Sequence, residues 1–152
     1  MTSGKSTTQS ASQNLQNEHR ELMQQLSELD QALESLICYA EVYADLAGLR
    51  RAQDTARGLA GRLAEHFLLE EQGIFVAVRQ LGSDSAAFAG EMERQHREID
   101  ARIAAFRKMA DSFIDAPDLQ QSIGDLQDAG KALAQFMAAH MGAEERKYAL
   151  LA

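Results

Sequence analysis

The chain of 152 residues has one cysteine, one proline and no tryptophan, and none of its apolar runs approaches 18 residues. The single cysteine, Cys38, cannot form a disulfide within the chain, which favours a reducing compartment and predicts a cytoplasmic location. The absence of a long apolar run predicts that no helix spans a bilayer. Lys and Arg are also scarce, 15 against 23 Asp and Glu. This acidic balance argues against binding to nucleic acid or to an anionic membrane.

Val, Ile and Thr are sparse, whereas Ala, Leu, Gln, Glu and Arg are abundant, and this composition is typical of an all-α protein. We predict a flexible N-terminal tail at residues 1–11 and one helical domain at residues 12–152. The predicted helices run from Ser12 to about Ala47, from Leu49 to Leu81, from the Gly82–Ser85 turn to about Phe113, and from Asp118 to Tyr148. Four long helices with short connections predict an up-down-up-down four-helix bundle.

Each predicted helix carries an apolar stripe with steps of three and four residues, which predicts one buried face per helix. The stripe residues are Leu15, Leu22, Leu26, Leu29 and Leu33 in the first helix; Leu59, Leu63, Ile74 and Leu81 in the second; Phe88, Met92, Ile99, Ile103, Phe106 and Phe113 in the third; and Leu119, Ile123, Leu126, Leu133 and Met137 in the fourth.

The four histidines interrupt these stripes, one on each helix, and two glutamates follow four residues after the second and fourth histidines. These residues are His19, His66, Glu70, His96, His140 and Glu144. If these six residues had a purely structural role, every helix would need hydrogen-bond partners for a buried histidine, and two buried His–Glu pairs would also have to be accommodated in the core. A metal site explains the pattern better, because His and Glu at i, i+4 lie one turn apart on one face and can reach a shared centre in the bundle core.

Four imidazoles and two carboxylates are too many ligands for one tetrahedral zinc ion, and they suit two transition-metal ions. Nitrogen and oxygen ligands without thiolate favour iron or manganese over an iron–sulfur cluster. The chain also repeats itself: His-Arg-Glu followed by Leu or Ile occurs at His19 and His96, and His-x-x-x-Glu-Glu occurs at His66 and His140. The repeat predicts two helical hairpins that each supply two histidines to one ion, with the two glutamates bridging the ions.

With these motifs the chain resembles the hemerythrin-like (HHE cation-binding) family over nearly its whole length, from about Leu15 to Leu150. The positions that match the family's motifs, helix by helix, are His19; His66-x-x-x-Glu70 with Glu71; His96; and His140-x-x-x-Glu144. The resemblance implies a four-helix bundle around a non-haem di-iron centre with an oxo or hydroxo bridge. It also implies a small gaseous ligand, dioxygen or nitric oxide.

The chain departs from the oxygen-carrying members of that family. A fifth histidine is absent, since Met92 and Asp100 lie four residues before and after His96, and the fourth helix has H-x-x-x-E in place of H-x-x-x-x-D. These departures favour sensing, redox chemistry or iron handling over reversible oxygen carriage. Asp100, Tyr39 and Tyr43 stay open as additional ligands, as do Glu71 and Glu145 as hydrogen-bond partners of the imidazoles.

We predict a di-iron protein that binds dioxygen or nitric oxide as a sensor, store or scavenger. A sensor would act through a separate signalling partner, since no output domain follows the helices. The alternatives are a di-iron enzyme that turns over peroxide or nitric oxide, an iron donor in iron–sulfur cluster repair, and a metal-free interaction bundle. The ferritin-like class fits less well, because it needs two E-x-x-H motifs and only Glu93-x-x-His96 has that spacing.

Overall fold

The computed structural model describes residues 3–38, 46–113 and 119–150, and these residues form helices and short turns. The helices are α1 (Ser3–Cys38), α2 (Leu46–Gln72), α3 (Ile74–Arg79), α4 (Ser83–Asp111) and α5 (Leu119–Ala149). Within the described ranges there is no strand. None of the described helices is long and apolar enough to cross a membrane.

The four long helices pack as a bundle in which each one has two neighbours. Helix α1 lies against α2 and α5, and α4 lies against the same two helices. The C-terminal half of α1 meets the N-terminal half of α2, and the C-terminal half of α4 meets the N-terminal half of α5, so consecutive long helices are antiparallel. The prediction of an all-α, up-down-up-down four-helix bundle is therefore confirmed.

Three of the predicted helix ends differ from the structure or lie beyond it. Helix α1 begins at Ser3 rather than near Ser12, and α2 begins at Leu46 rather than Leu49. The predicted start of the fourth helix, Asp118, and the two tyrosines at 39 and 43 lie outside the described residues. The division into a tail at residues 1–11 and a domain at residues 12–152 stays a prediction.

The second predicted helix is broken in two at Gly73. The backbone there has φ −113° and ψ −94°, outside helical values, and a Cβ atom at this position would lie 2.7 Å from the carbonyl oxygen of Leu69. Only glycine fits that close approach without a shift of the backbone. The break changes the direction of the chain, and Leu81, predicted in the buried stripe, is 59% exposed in the turn that follows α3. That part of the stripe prediction was wrong.

The buried side chains form three apolar clusters along the bundle, and these clusters bracket a polar layer. One cluster, around Leu33 and Phe106, fills the end where α1 finishes and α2 starts. A second, around Leu63 and Ile99, occupies the middle. A third closes the other end with residues of α3 and Tyr148. The histidines of α1 and α4 lie between residues of the second and third clusters, and those of α2 and α5 lie near the edge of the second cluster that faces the third, which places all four at one level of the bundle.

Candidate metal centre

All six residues singled out in the sequence lie inside the bundle at that level. Each of the long helices contributes one histidine, and α2 and α5 each add a glutamate one turn further on. The side chains of Glu70 and Glu144 are fully buried, at 0% exposure, and none of the four histidines exceeds 3%. The i, i+4 spacing on α2 and α5 therefore directs imidazole and carboxylate into one shared space.

The two histidines of the first hairpin meet through their Nε2 atoms. His19 Nε2 lies 3.0 Å from His66 Nε2. His66 Nε2 is also 3.0 Å from Glu70 Oε1, and His19 Nε2 is 3.4 Å from Glu144 Oε1. We call His19 and His66 the first half-site.

The second hairpin repeats this arrangement with His96 and His140, which we call the second half-site. His140 Nε2 lies 3.0 Å from Glu144 Oε1. His96 Nε2 lies 3.3 Å from Glu70 Oε1 and 3.4 Å from Glu144 Oε2. Each carboxylate thus touches histidines of both half-sites, as two bridging carboxylates would.

Taken together, the ligand atoms form two overlapping groups of four, each within 4.8 Å. One group is the first half-site with Glu70 and Glu144, and the other is the second half-site with the same two glutamates. Two groups that share two buried carboxylates indicate a binuclear metal site. The shared pair agrees with the prediction from the repeat, while the assignment of these side chains as ligands stays a prediction.

The hydrogen bonding inside the cluster leaves acceptors and donors without partners. Among the described residues, Glu70 Oε1, Glu144 Oε1 and the Nε2 atoms of the second half-site are buried and make no hydrogen bond. Buried polar atoms rarely lack a partner unless an ion or water completes them. These are the atoms that face the middle of the cluster, so the donor set fits a pair of metal ions.

The outward-facing Nδ1 atoms are held by residues next to the six. His66 Nδ1 lies 2.5 Å from Glu18 Oε2, and His140 Nδ1 lies 2.8 Å from Gln95 Oε1. His19 Nδ1 lies 3.2 Å from Glu145 Oε1. An acceptor at Nδ1 keeps the proton on that nitrogen and leaves Nε2 free to bind a metal.

Tyr148 joins the two shared carboxylates from the closed end of the bundle. Its hydroxyl donates to Glu70 Oε2 and lies 3.2 Å from Glu144 Oε2. Burial and the charges of the two carboxylates raise the pKa of this phenol above its ordinary value, so the hydroxyl stays protonated. Tyr148 was predicted only as the end of the fourth helix, although its position four residues after Glu144 puts it on the same face.

The walls of the cluster are apolar. Phe67 stacks on the His96 ring at 3.8 Å between centroids, and Phe75 lies nearly parallel to the same ring at 5.4 Å. Met137 and Met141 are buried in the cluster of side chains below it. Aromatic rings and methionine side chains therefore border the polar groups of the cluster.

The imidazoles and carboxylates of the cluster shift one another's pKa values. Burial alone would lower the pKa of His96, but the nearby carboxylates of Glu144 and Glu70 outweigh it and raise that pKa to about 9. Burial would raise the pKa of Glu144, but the nearby imidazoles of His140, His19 and His96 bring it well below its ordinary value. Positive charge on His96 and His66 therefore stabilises the buried carboxylates beside them.

The structure also places three residues that the sequence left open, Asp100, Glu71 and Glu145. Asp100 is exposed and belongs to neither group of ligand atoms among the described residues. Glu71 Oε1 lies 3.5 Å from His96 Nδ1, and Glu145 contacts His19 as described, so both approach the imidazoles from outside. The roles of Glu18 and Gln95 were not predicted, because the sequence does not indicate which neighbouring helix a residue beside a histidine faces.

The fold and this cluster define a class: an all-helical bundle that encloses a buried, binuclear His/Glu centre. The sequence matches the family described as Hemerythrin HHE cation binding domain over residues 10–152. The chain belongs to this family. Comparisons with curated proteins and with solved structures gave no match.

Proposed function

We propose that the chain is a non-haem di-iron protein that binds dioxygen or nitric oxide and acts as a sensor, store or scavenger of that ligand. The first half-site would hold one iron ion, the second half-site the other, and Glu70 and Glu144 would bridge them. Bound iron would supply reversible redox chemistry and an open coordination position for a small ligand. The cytoplasmic location stays a prediction.

The observation that carries the proposal is the sharing of both buried carboxylates by both histidine pairs. Two carboxylates and four imidazoles in a space without thiolate suit iron or manganese better than they suit a zinc–sulfur site or an iron–sulfur cluster. Membership of the cation-binding family supports a metal at this place. The preference for iron follows from the hemerythrin-like resemblance and is part of the proposal.

The surroundings suit a small, uncharged ligand. A surface cavity of about 310 Å³ between α1 and α5 reaches His19 and is bordered by Met23, Met141 and Gly142. Its mostly apolar border would admit a diatomic gas more readily than an ion or a large polar substrate. The buried phenyl rings beside His96 exclude water from the centre, which favours retention of a bound gas over hydrolysis.

Elemental analysis combined with optical spectroscopy tests the proposal. Protein made in iron-replete medium should contain about two irons per chain. A sample reduced without oxygen and then exposed to air should develop an oxo-to-iron charge-transfer band, and nitric oxide added to the reduced sample should change its spectrum. One zinc per chain and no iron would contradict the proposal.

Variants and turnover measurements sharpen that test. Asp100→Asn removes an exposed carboxylate one turn from His96 and should keep both irons, whereas His96→Ala should lose iron. Loss of iron from Asp100→Asn would show that the ligand set is wrong.

Turnover measurements separate the remaining alternatives. Sustained consumption of peroxide or nitric oxide by the iron-loaded protein would show that it is an enzyme rather than a binding protein. Transfer of its iron to a cluster-free acceptor protein would favour iron delivery.

A further inference from the structure

The outer contacts of the imidazoles follow the internal repeat of the chain. In each repeat, the residue before the first histidine contacts the second histidine of the same repeat. Glu18 Oε2 lies 2.5 Å from His66 Nδ1, and Gln95 Oε1 lies 2.8 Å from His140 Nδ1. The two hairpins therefore use the same position for the same task.

A second pair of contacts crosses between the repeats. Glu145, which follows the shared Glu144, lies 3.2 Å from His19 Nδ1. Glu71, which follows the shared Glu70, lies 3.5 Å from His96 Nδ1, and this nitrogen makes no hydrogen bond. The contact between the repeats is thus a hydrogen bond at the first half-site and only a close approach, without a hydrogen bond, at the second.

The repeat is broken at one outer position, where Glu18 in the first hairpin corresponds to Gln95 in the second. A carboxylate that accepts from Nδ1–H makes the imidazole a more basic ligand through Nε2 than a neutral amide does. It also adds one negative charge next to a bound cation. Both imidazoles of the first half-site have carboxylate partners within 3.2 Å, whereas the second half-site has an amide and a distant carboxylate.

We propose that the two half-sites are unequal: the first half-site holds its metal ion more tightly than the second, and Glu18 and Gln95 are the positioning residues that set the difference. This inference rests on the proposed metal centre. The positions of Glu70 and Glu144 do not create the inequality, since both carboxylates belong to both groups. The difference comes from residues that contact the outward-facing Nδ1 atoms of the imidazoles and do not face the ions.

Stepwise removal of zinc tests the inequality without any activity measurement. Protein loaded with two zinc ions is treated with increasing chelator, and the zinc that remains per chain is measured after desalting. The wild-type protein should lose its zinc in two waves, one for each ion. The free chelator concentrations at the midpoints of the two waves should differ about 10- to 100-fold. Nitrogen-15 spectra of labelled histidine after the first wave should show zinc still on the first half-site and not on the second.

Reciprocal exchange of the two residues identifies the cause. Glu18→Gln should weaken the tighter ion and bring the waves together. Gln95→Glu should strengthen the weaker ion, a gain that damage to the fold cannot produce. The double variant should restore two waves in reversed order, with zinc retained at the second half-site.

Glu21→Gln is the matched control. Glu21 borders the same cavity as Glu18 and His66, so this variant removes an equal charge nearby, but Glu21 pairs with Arg62 and has no contact with an imidazole among the described residues. It should leave the two waves within about threefold of the wild type. A single wave from the wild type, or waves unmoved by Glu18→Gln and Gln95→Glu, would overturn the inference. A protein that takes up no zinc or iron would instead overturn the proposed metal centre.

Discussion

At the end of the bundle around Leu33, Phe106 and Leu126, the core cluster is entirely apolar, whereas at the level of His66 and Glu70 ionisable groups fill the middle of the same four helices. The first region gains stability by removing apolar surface from water, and needs nothing beyond the chain. The second buries two carboxylates, which are costly in a core without positive charge beside them.

This difference in polarity indicates that the two regions have different roles. The apolar end holds the helices at fixed heights and rotations, because close-packed cores resist displacement. In the polar layer, that rigidity holds side chains from three helices within 4.8 Å of one another in each of the two groups, and the two groups together draw on all four helices. The polar layer therefore depends on the apolar end for its geometry, and on positive charge beside its carboxylates for its stability.

Removal of metal should separate the two regions most clearly. A chelator should lower the melting temperature by about 10 °C or more, because it leaves the buried carboxylates with protons alone as positive partners. Hydrogen exchange should quicken near His66 and His140 and stay slow near Leu33. A melting temperature that does not change on chelation would mean that the polar layer is stable by itself.

Substitution of a shared carboxylate should disturb both half-sites at once. Glu70→Gln keeps the shape of the side chain but removes its charge, and both ligand groups include this residue. Both metal ions should be lost, and Glu144→Gln should behave in the same way.

The neighbouring glutamates provide the control for that prediction. Glu71→Gln and Glu145→Gln change residues that contact an imidazole only from outside. They should keep two ions per chain with affinity reduced by about tenfold. Elemental analysis measures all four variants, and loss of metal from Glu71→Gln but not from Glu70→Gln would contradict the site described here.

A substitution at the apolar end should act on stability alone. Leu33 is 1% exposed and packs in the cluster with Phe106. Leu33→Ala should lower the free energy of unfolding by about 2–5 kcal/mol because it leaves a cavity. Chemical denaturation measures the loss, while metal content should stay at the wild-type value. A fall in metal content in the folded variant would show that the two regions are coupled more tightly than their separation along the helices indicates.

The metal-free protein should respond to pH through the polar layer. The pKa of His96 is about 9 and that of His66 is also above 6.5, since attraction from the two glutamates outweighs burial. A raised pKa in the folded state contributes stability that is present below pH 6.5 and is lost as pH rises towards 9. The melting temperature of the chelated protein should therefore fall across this range, and that of the metal-loaded protein should fall less. Equal pH profiles for the two forms would contradict this account.

The smallest expected effect concerns Tyr148. Tyr148→Phe removes a hydroxyl that donates to Glu70 and contacts Glu144, and should lower the free energy of unfolding by about 1–3 kcal/mol. Both metal ions should remain bound, since the phenol belongs to neither ligand group. Loss of one ion would show that Tyr148 is itself a ligand.

Most of the architecture was predictable because it depends on local periodicity. A three- and four-residue repeat of apolar residues specifies one buried face of a helix, and that face carried Leu22, Ile99 and Leu133 into the core as predicted. The same periodicity placed His66 and Glu70 on one side of α2, and the internal repeat indicated which carboxylates are shared. The prediction weakened where the period changes, at Gly73, and Leu81 was misplaced as a result.

The contacts between helices were decided only by the tertiary structure. The sequence by itself determined which residues face the core, but the height and rotation of one helix against another depend on the packing of all four. The pairing of Glu18 with His66, of Gln95 with His140 and of Tyr148 with Glu70 follows from those rotations. A residue next to a ligand lies about 100° round the helix, and its partner is known only once the neighbouring helix is in place.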